Sequence, residues 1–78
     1  MKFEVGKTYR EKMTCEGETF YRYYYISKRS ENGYIWVKTH KDLIKDKCRK
    51  VALYKGSEYF KSIYDNCLVF REYVEEVE

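Results

Sequence analysis

Aromatic and basic side chains are concentrated in one short stretch of the chain, residues 20–37, with the sequence FYRYYYISKRSENGYIWV. Aromatic rings stack on planar ligands and attract cations, and Lys and Arg side chains pair with phosphate or carboxylate groups. This combination is typical of a surface that binds a partner. It is not the set of groups that makes or breaks covalent bonds.

The residue types that usually perform catalysis lack partners in this sequence. His40 is the one imidazole and lies in a polar stretch, and the VGKT at residues 5–8 matches only the last part of a phosphate-binding loop. No nucleophile is accompanied by a recognisable base. We therefore predict a protein that is not an enzyme and that has no catalytic residue and no cofactor.

The three cysteines, Cys15, Cys48 and Cys67, are odd in number and far apart, and no C-x-x-C pair is present. A zinc site would have to be assembled entirely from distant residues. We expect reduced, mostly buried thiols in a cytoplasmic protein, and no metal site.

The length of 78 residues predicts one small domain, residues 1–78. A chain this short must fill its core with large side chains, and ten Tyr, four Phe and one Trp meet that need. No apolar run approaches the roughly 20 residues of a membrane span. The N-terminal sequence also lacks the apolar region of a secretory signal, so we expect no export and no membrane partner.

The net charge of +3 is unevenly distributed. Residues 1–61 carry fifteen Lys or Arg against eight Asp or Glu, whereas residues 62–78 carry one Arg against five acids. The body of the chain is therefore basic, and residues 66–78 form an acidic C-terminal segment. The glutamates of this segment either form a solvated face or imitate the phosphates of a nucleic acid. They are Glu72, Glu75, Glu76 and Glu78.

Turn signals divide the chain into about five short strands. Residues 19–29 and 34–38 form a predicted hairpin around Asn32-Gly33, with a two-residue turn that sets Arg29 opposite Trp36. A second hairpin is expected through Lys55-Gly56, with Val51 opposite Phe60. These elements predict a mainly β protein, a small five-stranded barrel of SH3-like or OB-like type. Residues 67–77 fit either a strand or a helical stripe, and we expect a strand that passes into a short helix.

Alternation along the first hairpin separates two faces. The predicted core contains Phe20, Tyr24, Ile26, Ile35, Val37, Val51, Leu53 and Phe60. The opposite face, our candidate partner-binding surface, contains Tyr21, Tyr23, Tyr25, Arg29, Tyr34, Trp36 and Lys38. Three roles remain open for this face: rings that simply cover the backbone, a surface packed beneath the C-terminal segment, or a recognition or dimer interface.

Two groups of motifs resemble small uncharacterised phage and prophage proteins with an SH3-like β-barrel. The first is F-x-V-G-x-x-Y at residues 3–9, followed by Cys15 and by aromatic-x-Ile-x-x-Arg-Ser at residues 24–30. The second is KCRKVALYKGSEYF at residues 47–60. The resemblance covers residues 3–63 and implies a small β-barrel from a mobile element, in the cytoplasm of a bacterial host. This chain has Glu18 where the group often has a second Cys.

The sequence supports two functions. The first is a small phage-type protein that binds and inhibits a host or defence protein, as an anti-CRISPR protein does, since Tyr, Trp and Arg dominate interface hot spots. The alternative is a small barrel that binds single-stranded nucleic acid through its aromatic and basic hairpin face. A second copy of the chain is a further candidate partner.

Overall fold

The computed structural model describes residues 1–77, which form two antiparallel β-sheets packed face to face. The first sheet has the strand order β4-β3-β2-β1-β8, and the second has the order β5-β6-β7. One 3-10 turn, Arg71–Tyr73, lies between β7 and β8. The strands are β1 (Thr8–Cys15), β2 (Glu18–Arg29), β3 (Tyr34–Lys38), β4 (Lys47–Lys50), β5 (Ala52–Tyr54), β6 (Ser57–Lys61), β7 (Leu68–Phe70) and β8 (Glu75–Val77).

The prediction of a mainly β protein is confirmed, but the sheets do not close into a five-stranded barrel. The chain passes from the first sheet to the second at Val51, whose N–H donates to the Gly33 carbonyl at 2.7 Å. The free edge of β1, which a barrel would use for closure, is instead paired with β8. Two sheets with separate edges are the result.

The expected C-terminal helix is also absent from the described residues. β7 begins at Leu68, close to the strand start that the sequence suggested, and only three residues then adopt a 3-10 turn. The chain continues as β8, in which Glu75 pairs with Arg10 and Val77 with Thr8. So short a helix would be marginal by itself, whereas the edge of β1 offers backbone hydrogen-bond partners.

The second hairpin has the predicted register. Lys55 and Gly56 have φ angles of 50° and 81°, as a two-residue turn with two left-handed residues requires. Ala52 therefore lies opposite Tyr59. The sequence signal at Lys55-Gly56 was sufficient here because the turn type fixes the pairing.

The first hairpin has a different register from the one predicted. Its turn is not a two-residue loop at Asn32-Gly33: Gly33 has a φ of 87°, and its N–H donates to the Ser30 carbonyl at 3.4 Å. A β-bulge between Ile26 and Lys28 adds a further shift. As a result, Lys28 rather than Arg29 lies opposite Trp36, and Arg29 lies opposite Ile35.

The bulge moves Arg29 from the predicted outer face to the inner side of the sheet. There its guanidinium forms an ion pair with Glu58 of β6, through hydrogen bonds to both carboxylate oxygens. Arg29 also donates to the Phe3 carbonyl at 3.0 Å, and Glu58 accepts from the Phe3 N–H at 2.8 Å. This three-residue network joins the end of β2, the start of β6 and the segment that precedes β1.

The core lies between the two sheets and corresponds partly to the predicted one. Phe20 and Leu53, which we placed in the core, are exposed. Phe20 belongs to the end of the β1–β2 hairpin, where residues 14–21 are all exposed, and Leu53 lies on an edge strand. Val51 is partly buried at its margin. The buried core residues are Phe3, Tyr9, Tyr24, Ile26, Ile35, Val37, Phe60, Val69 and Val74.

All three cysteines are exposed and unbonded to one another, so the expectation of mostly buried thiols is wrong. Cys15 precedes the β1–β2 turn, Cys48 lies on the edge strand β4, and Cys67 precedes β7. None of these positions belongs to the space between the sheets, which aromatic and aliphatic side chains fill. That the thiols are reduced and bind no metal remains a prediction.

The core assignment predicts that Ile26→Ala lowers the free energy of unfolding by about 2 to 5 kcal/mol, because the side chain is fully buried and the cavity can relax only in part. Urea unfolding followed by circular dichroism measures the change. Leu53→Ala is the matched control, and it should change stability by less than about 0.5 kcal/mol because Leu53 is 66% exposed. Equal costs at the two positions would contradict this assignment.

The Arg29–Glu58 pair predicts a pH-dependent contribution to stability. Burial by itself would raise the pKa of Glu58, but the hydrogen bonds from Arg29 and Phe3, with the charge of Arg29, outweigh it and lower the pKa below the ordinary value of 4.5. A carboxyl group whose pKa is lowered by folding stabilises the protein above its unfolded-state pKa, and this contribution is lost as the pH falls through the folded-state pKa.

We therefore expect the stability difference between the parent protein and Glu58→Gln to be full at about pH 7 and to shrink as the pH falls below about 4.5. Removing one partner of a fully buried pair costs about 3 to 5 kcal/mol at neutral pH, and the cost here should be smaller because the Arg29 side chain left behind is 28% exposed. Urea unfolding of both proteins over a pH series provides the measurement. A difference that stays constant down to about pH 3 would show that Glu58 is not held ionised.

Candidate functional site

The outer face of the five-stranded sheet, which points away from the core, contains six of the seven predicted binding residues. Side chains alternate along a strand, so Tyr21, Tyr23 and Tyr25 of β2 project to the side opposite the buried Tyr24 and Ile26. The same face of β3 contributes Tyr34, Trp36 and Lys38. The seventh residue, Arg29, is held on the inner side by Glu58.

Strand β1 adds basic residues that were not among the binding residues predicted from the sequence. Arg10 lies opposite Tyr23, and Lys12 lies opposite Tyr21. The Arg10 guanidinium carbon is 4.3 Å from the centroid of the Tyr21 ring. A signal for these residues was present in the sequence, because a two-residue turn at Glu16-Gly17 fixes the register of β1 against β2.

Strand β4 and the bulge complete the basic border of the outer face. Cys48 and Lys50 lie opposite Trp36 and Tyr34. The Lys28 ammonium is 4.8 Å from the centroid of the Trp36 ring, in the cation–π contact that the predicted register would have given to Arg29. The outer face thus carries Lys or Arg beside its rings on both flanks.

The rings of the outer face are partly open to solvent. Tyr21, Tyr23 and Tyr34 are between 37% and 39% exposed, while Tyr25 and Trp36 are more covered by their neighbours. Within residues 66–77, β8 extends the sheet beside β1 and β7 belongs to the second sheet, so neither strand lies across these rings. The ring surface is therefore available to a ligand.

The charges at strand positions of the outer face are mostly positive. The one acid among them is Glu75, whose carboxylate accepts a hydrogen bond of 2.6 Å from Arg10 and raises the pKa of that guanidinium. Asp46, in the loop between β3 and β4, accepts from the bulged Ser27 at 2.8 Å. The basic residues at strand positions are Arg10, Lys12, Lys28, Lys38 and Lys50.

The glutamates of the acidic segment that the structure describes do not lie on one face. Glu75 and Glu76 are successive residues of β8, so their side chains lie on opposite sides of the sheet. Glu75 pairs with Arg10, and Glu76 lies 3.5 Å from the Lys7 ammonium. Glu72 belongs to the 3-10 turn beside the second sheet. Glu78, the fourth candidate, lies outside the described residues.

A hollow of about 340 Å³ adjoins the outer face. Its polar lining consists of hydroxyl groups, an imidazole and an ammonium group, and its size is at the lower end of small-ligand sites. The His40 Nδ1 accepts a hydrogen bond of 3.2 Å from the Asp42 N–H. The lining residues are Thr8, Tyr23, Thr39, His40, Lys41 and Val77.

The described chain contains no cluster of three or more His, Cys, Asp or Glu side chains placed to hold a metal ion. Among residues 1–77 there is also no helix of the length and apolarity needed to cross a membrane. Comparison with protein-family models, with curated proteins and with solved structures found no match to this chain. The kind of ligand that this chain binds must therefore be inferred from its outer face.

The contact between Lys28 and Trp36 predicts a measurable coupling. A double-mutant cycle with Lys28→Met and Trp36→Leu, followed by urea unfolding, should give an interaction free energy of about 0.5 to 1 kcal/mol. The corresponding cycle with Arg29→Met and Trp36→Leu should give a value near zero, because Arg29 lies on the other side of the sheet. A larger coupling for Arg29 than for Lys28 would contradict the bulged register.

Proposed function

We propose that this protein binds single-stranded nucleic acid on the outer face of its five-stranded sheet. The observation that carries the proposal is the placement of five aromatic rings and five basic side chains on one open face, with a single acid among the strand positions. Proteins that bind single strands combine stacking rings with a positively charged surface in this way.

In this arrangement the rings would contact the bases of a strand and the basic side chains would contact its phosphates. Tyr21, Tyr23 and Tyr25 are alternate residues of one strand, so their Cα atoms are about 7 Å apart, a distance that allows successive unstacked bases to contact successive rings. Each base that stacks on a ring contributes about 1 to 3 kcal/mol. Lys12 on one flank and Lys28 on the other can pair with phosphates.

Binding of a host or defence protein is the second candidate function. It is favoured by Tyr34 and Trp36, since aromatic residues on an open surface form interface anchors, and by the resemblance to phage proteins. The pairing of Glu75 and Glu76 with basic residues of the same chain leaves less support for phosphate mimicry. The mostly positive outer face favours a polyanion, and we therefore place nucleic acid first.

Replacing two exposed rings of the outer face should abolish most of the binding. We expect Tyr21→Thr with Tyr23→Thr to weaken binding of a fluorescein-labelled oligonucleotide by at least about tenfold, because two stacking contacts are lost while strand propensity is kept. Fluorescence anisotropy with an oligo(dT) or oligo(rU) of about ten nucleotides measures this loss.

The matched control is Tyr54→Thr with Tyr73→Thr, which removes two exposed rings from the second sheet and should leave oligonucleotide affinity unchanged. Circular dichroism establishes that both variants are folded. Equal affinity of the parent protein and the outer-face variant would refute the proposed stacking surface.

The dependence on salt separates the two candidate functions. For a single strand, the logarithm of the binding constant falls with the logarithm of the salt concentration with a slope near −0.7 per neutralised phosphate. The variant with Lys12→Gln and Lys28→Gln should therefore reduce the slope by about 1.4 if each Lys contacts one phosphate.

A pull-down from bacterial lysate, with and without nuclease, provides the independent arm of this test. Loss of the captured material after nuclease supports nucleic-acid binding. A captured protein that survives nuclease, together with no oligonucleotide binding in the anisotropy assay, would favour the inhibitor instead.

A further inference from the structure

The outer side of the second sheet carries a separate group of aromatic rings, which we call the second-sheet cluster: Tyr54, Tyr59, Phe70 and Tyr73. Phe70 is at its centre. The Tyr59 ring stacks on Phe70 with centroids 4.8 Å apart and an angle of 27° between the rings. Tyr54 and Tyr73 meet Phe70 edge to face, at 6.3 Å and 73° and at 5.8 Å and 64°.

The rings of Tyr54, Phe70 and Tyr73 line an open hollow of about 560 Å³, together with Lys55 and Glu72. A tight turn and a buried hydrogen bond hold the second-sheet cluster in position. The two-residue turn at Lys55-Gly56 fixes the end of β5, and the Glu72 N–H donates to the buried Ser57 Oγ at 3.0 Å.

Rings inclined to one another favour a compact cation over a planar ligand. A planar base can lie flat on only one of several inclined rings, whereas a compact cation can contact the π faces of more than one. The Glu72 carboxylate adds negative charge at the border, which disfavours a phosphate. The second-sheet cluster therefore differs in kind from the basic outer face of the first sheet.

One cation already lies against this cluster. The Lys55 ammonium is 5.4 Å from the centroid of the Tyr54 ring. A Lys ammonium is strongly hydrated and loses that hydration when it enters an aromatic site. A methylated ammonium carries the same charge with weaker hydration, so it gains more from the rings and can displace Lys55.

From these observations we propose that Tyr54, Phe70 and Tyr73 form an aromatic cage, with Glu72 at its border, for the methylated ammonium group of a lysine side chain on a partner polypeptide. Tyr54 and Tyr73 are 56% and 75% exposed, so the cage is shallow. Small-molecule sites bury most of their ligand, which this hollow does not allow for a free quaternary amine. A polypeptide supplies further contacts along the sheet, where Leu68 is also exposed.

The test uses the full chain and a short, otherwise uncharged peptide with a central trimethyl-lysine, followed by NMR chemical shifts of backbone amides. We expect the shifts to be confined to residues around the Lys55-Gly56 turn and the 3-10 turn. The same peptide with unmodified lysine should bind about two- to fivefold more weakly, the range set by the strength of a cation–π contact at an exposed site. Equal binding of the two peptides would overturn the proposal.

Three variants test the roles of individual groups. Tyr73→Ala should abolish the shifts, whereas Tyr73→Phe should retain them, because the ring rather than the hydroxyl contacts the cation. Lys55→Asn removes the internal competitor at a position with a φ of 50°, which Asn tolerates, and should tighten binding about two- to fivefold. Tyr34→Ala, on the other sheet, is the control and should bind the peptide normally.

Two further results would overturn the proposal. One is normal binding by Tyr73→Ala. The other is binding of tetramethylammonium chloride alone as tightly as the trimethyl-lysine peptide, because the site would then recognise a free amine instead of a polypeptide. These outcomes are independent of oligonucleotide binding. The cage proposal can therefore be wrong while nucleic-acid binding on the outer face is right, and nucleic-acid binding can be wrong while the cage proposal is right.

Discussion

The buried carboxylate of Glu58 is the constraint on which most of the structure depends. It lies between the sheets with its side chain only 5% exposed, and it must be compensated because an unpaired charge in that place is strongly unfavourable. Arg29 supplies the compensation from β2, and the Phe3 N–H supplies a further donor. The pairing therefore specifies at once how the second sheet meets the first and where the segment before β1 runs. As a consequence, the Phe3 side chain lies in the core and its ring packs against those of Tyr9 and Phe60.

The fold class and half of the core could be predicted from local signals. The aromatic run in 20–26 identifies a strand, and alternation places Tyr24 and Ile26 on its buried side. Lys55-Gly56 identifies both a turn and a register. What escaped prediction depends on contacts that are distant in sequence. The bulge near Ser27 has no local signal in the chain, because it is stabilised by the Arg29–Glu58 pair across 29 residues. The pairing of β8 with β1 is equally non-local, and the helical spacing of Val69, Phe70 and Tyr73 in the same segment was a coincidence.

The aromatic rings of the candidate site were predicted from the sequence, but some of its basic side chains were not. Six of the seven nominated side chains share the outer face because strand alternation is a local property. Arg10 and Lys12 were not predicted to be part of the site, because only the pairing of β1 with β2 places them beside its rings. The cluster around Phe70 was not predicted either, because it combines residues from two turns and a strand that are separated in the sequence. The molecule consequently presents two aromatic surfaces with different surroundings. One is bordered mainly by Lys and Arg, and the other has both Glu72 and Lys55 at its border.

The bulge has a consequence for how this gene can vary. Between Ile26 and Arg29 the strand contains one residue more than its partner, and that residue alone determines which side each following side chain takes. Loss of the Ser27 codon would remove the extra residue and restore one-to-one pairing, so Lys28 would stay opposite Trp36 and Arg29 would stay beside Glu58. Gain of one residue at the same place would instead turn the guanidinium to the outer face and leave Glu58 without its partner. Shortening of this strand by the Ser27 residue is thus expected to be tolerated, whereas lengthening is not.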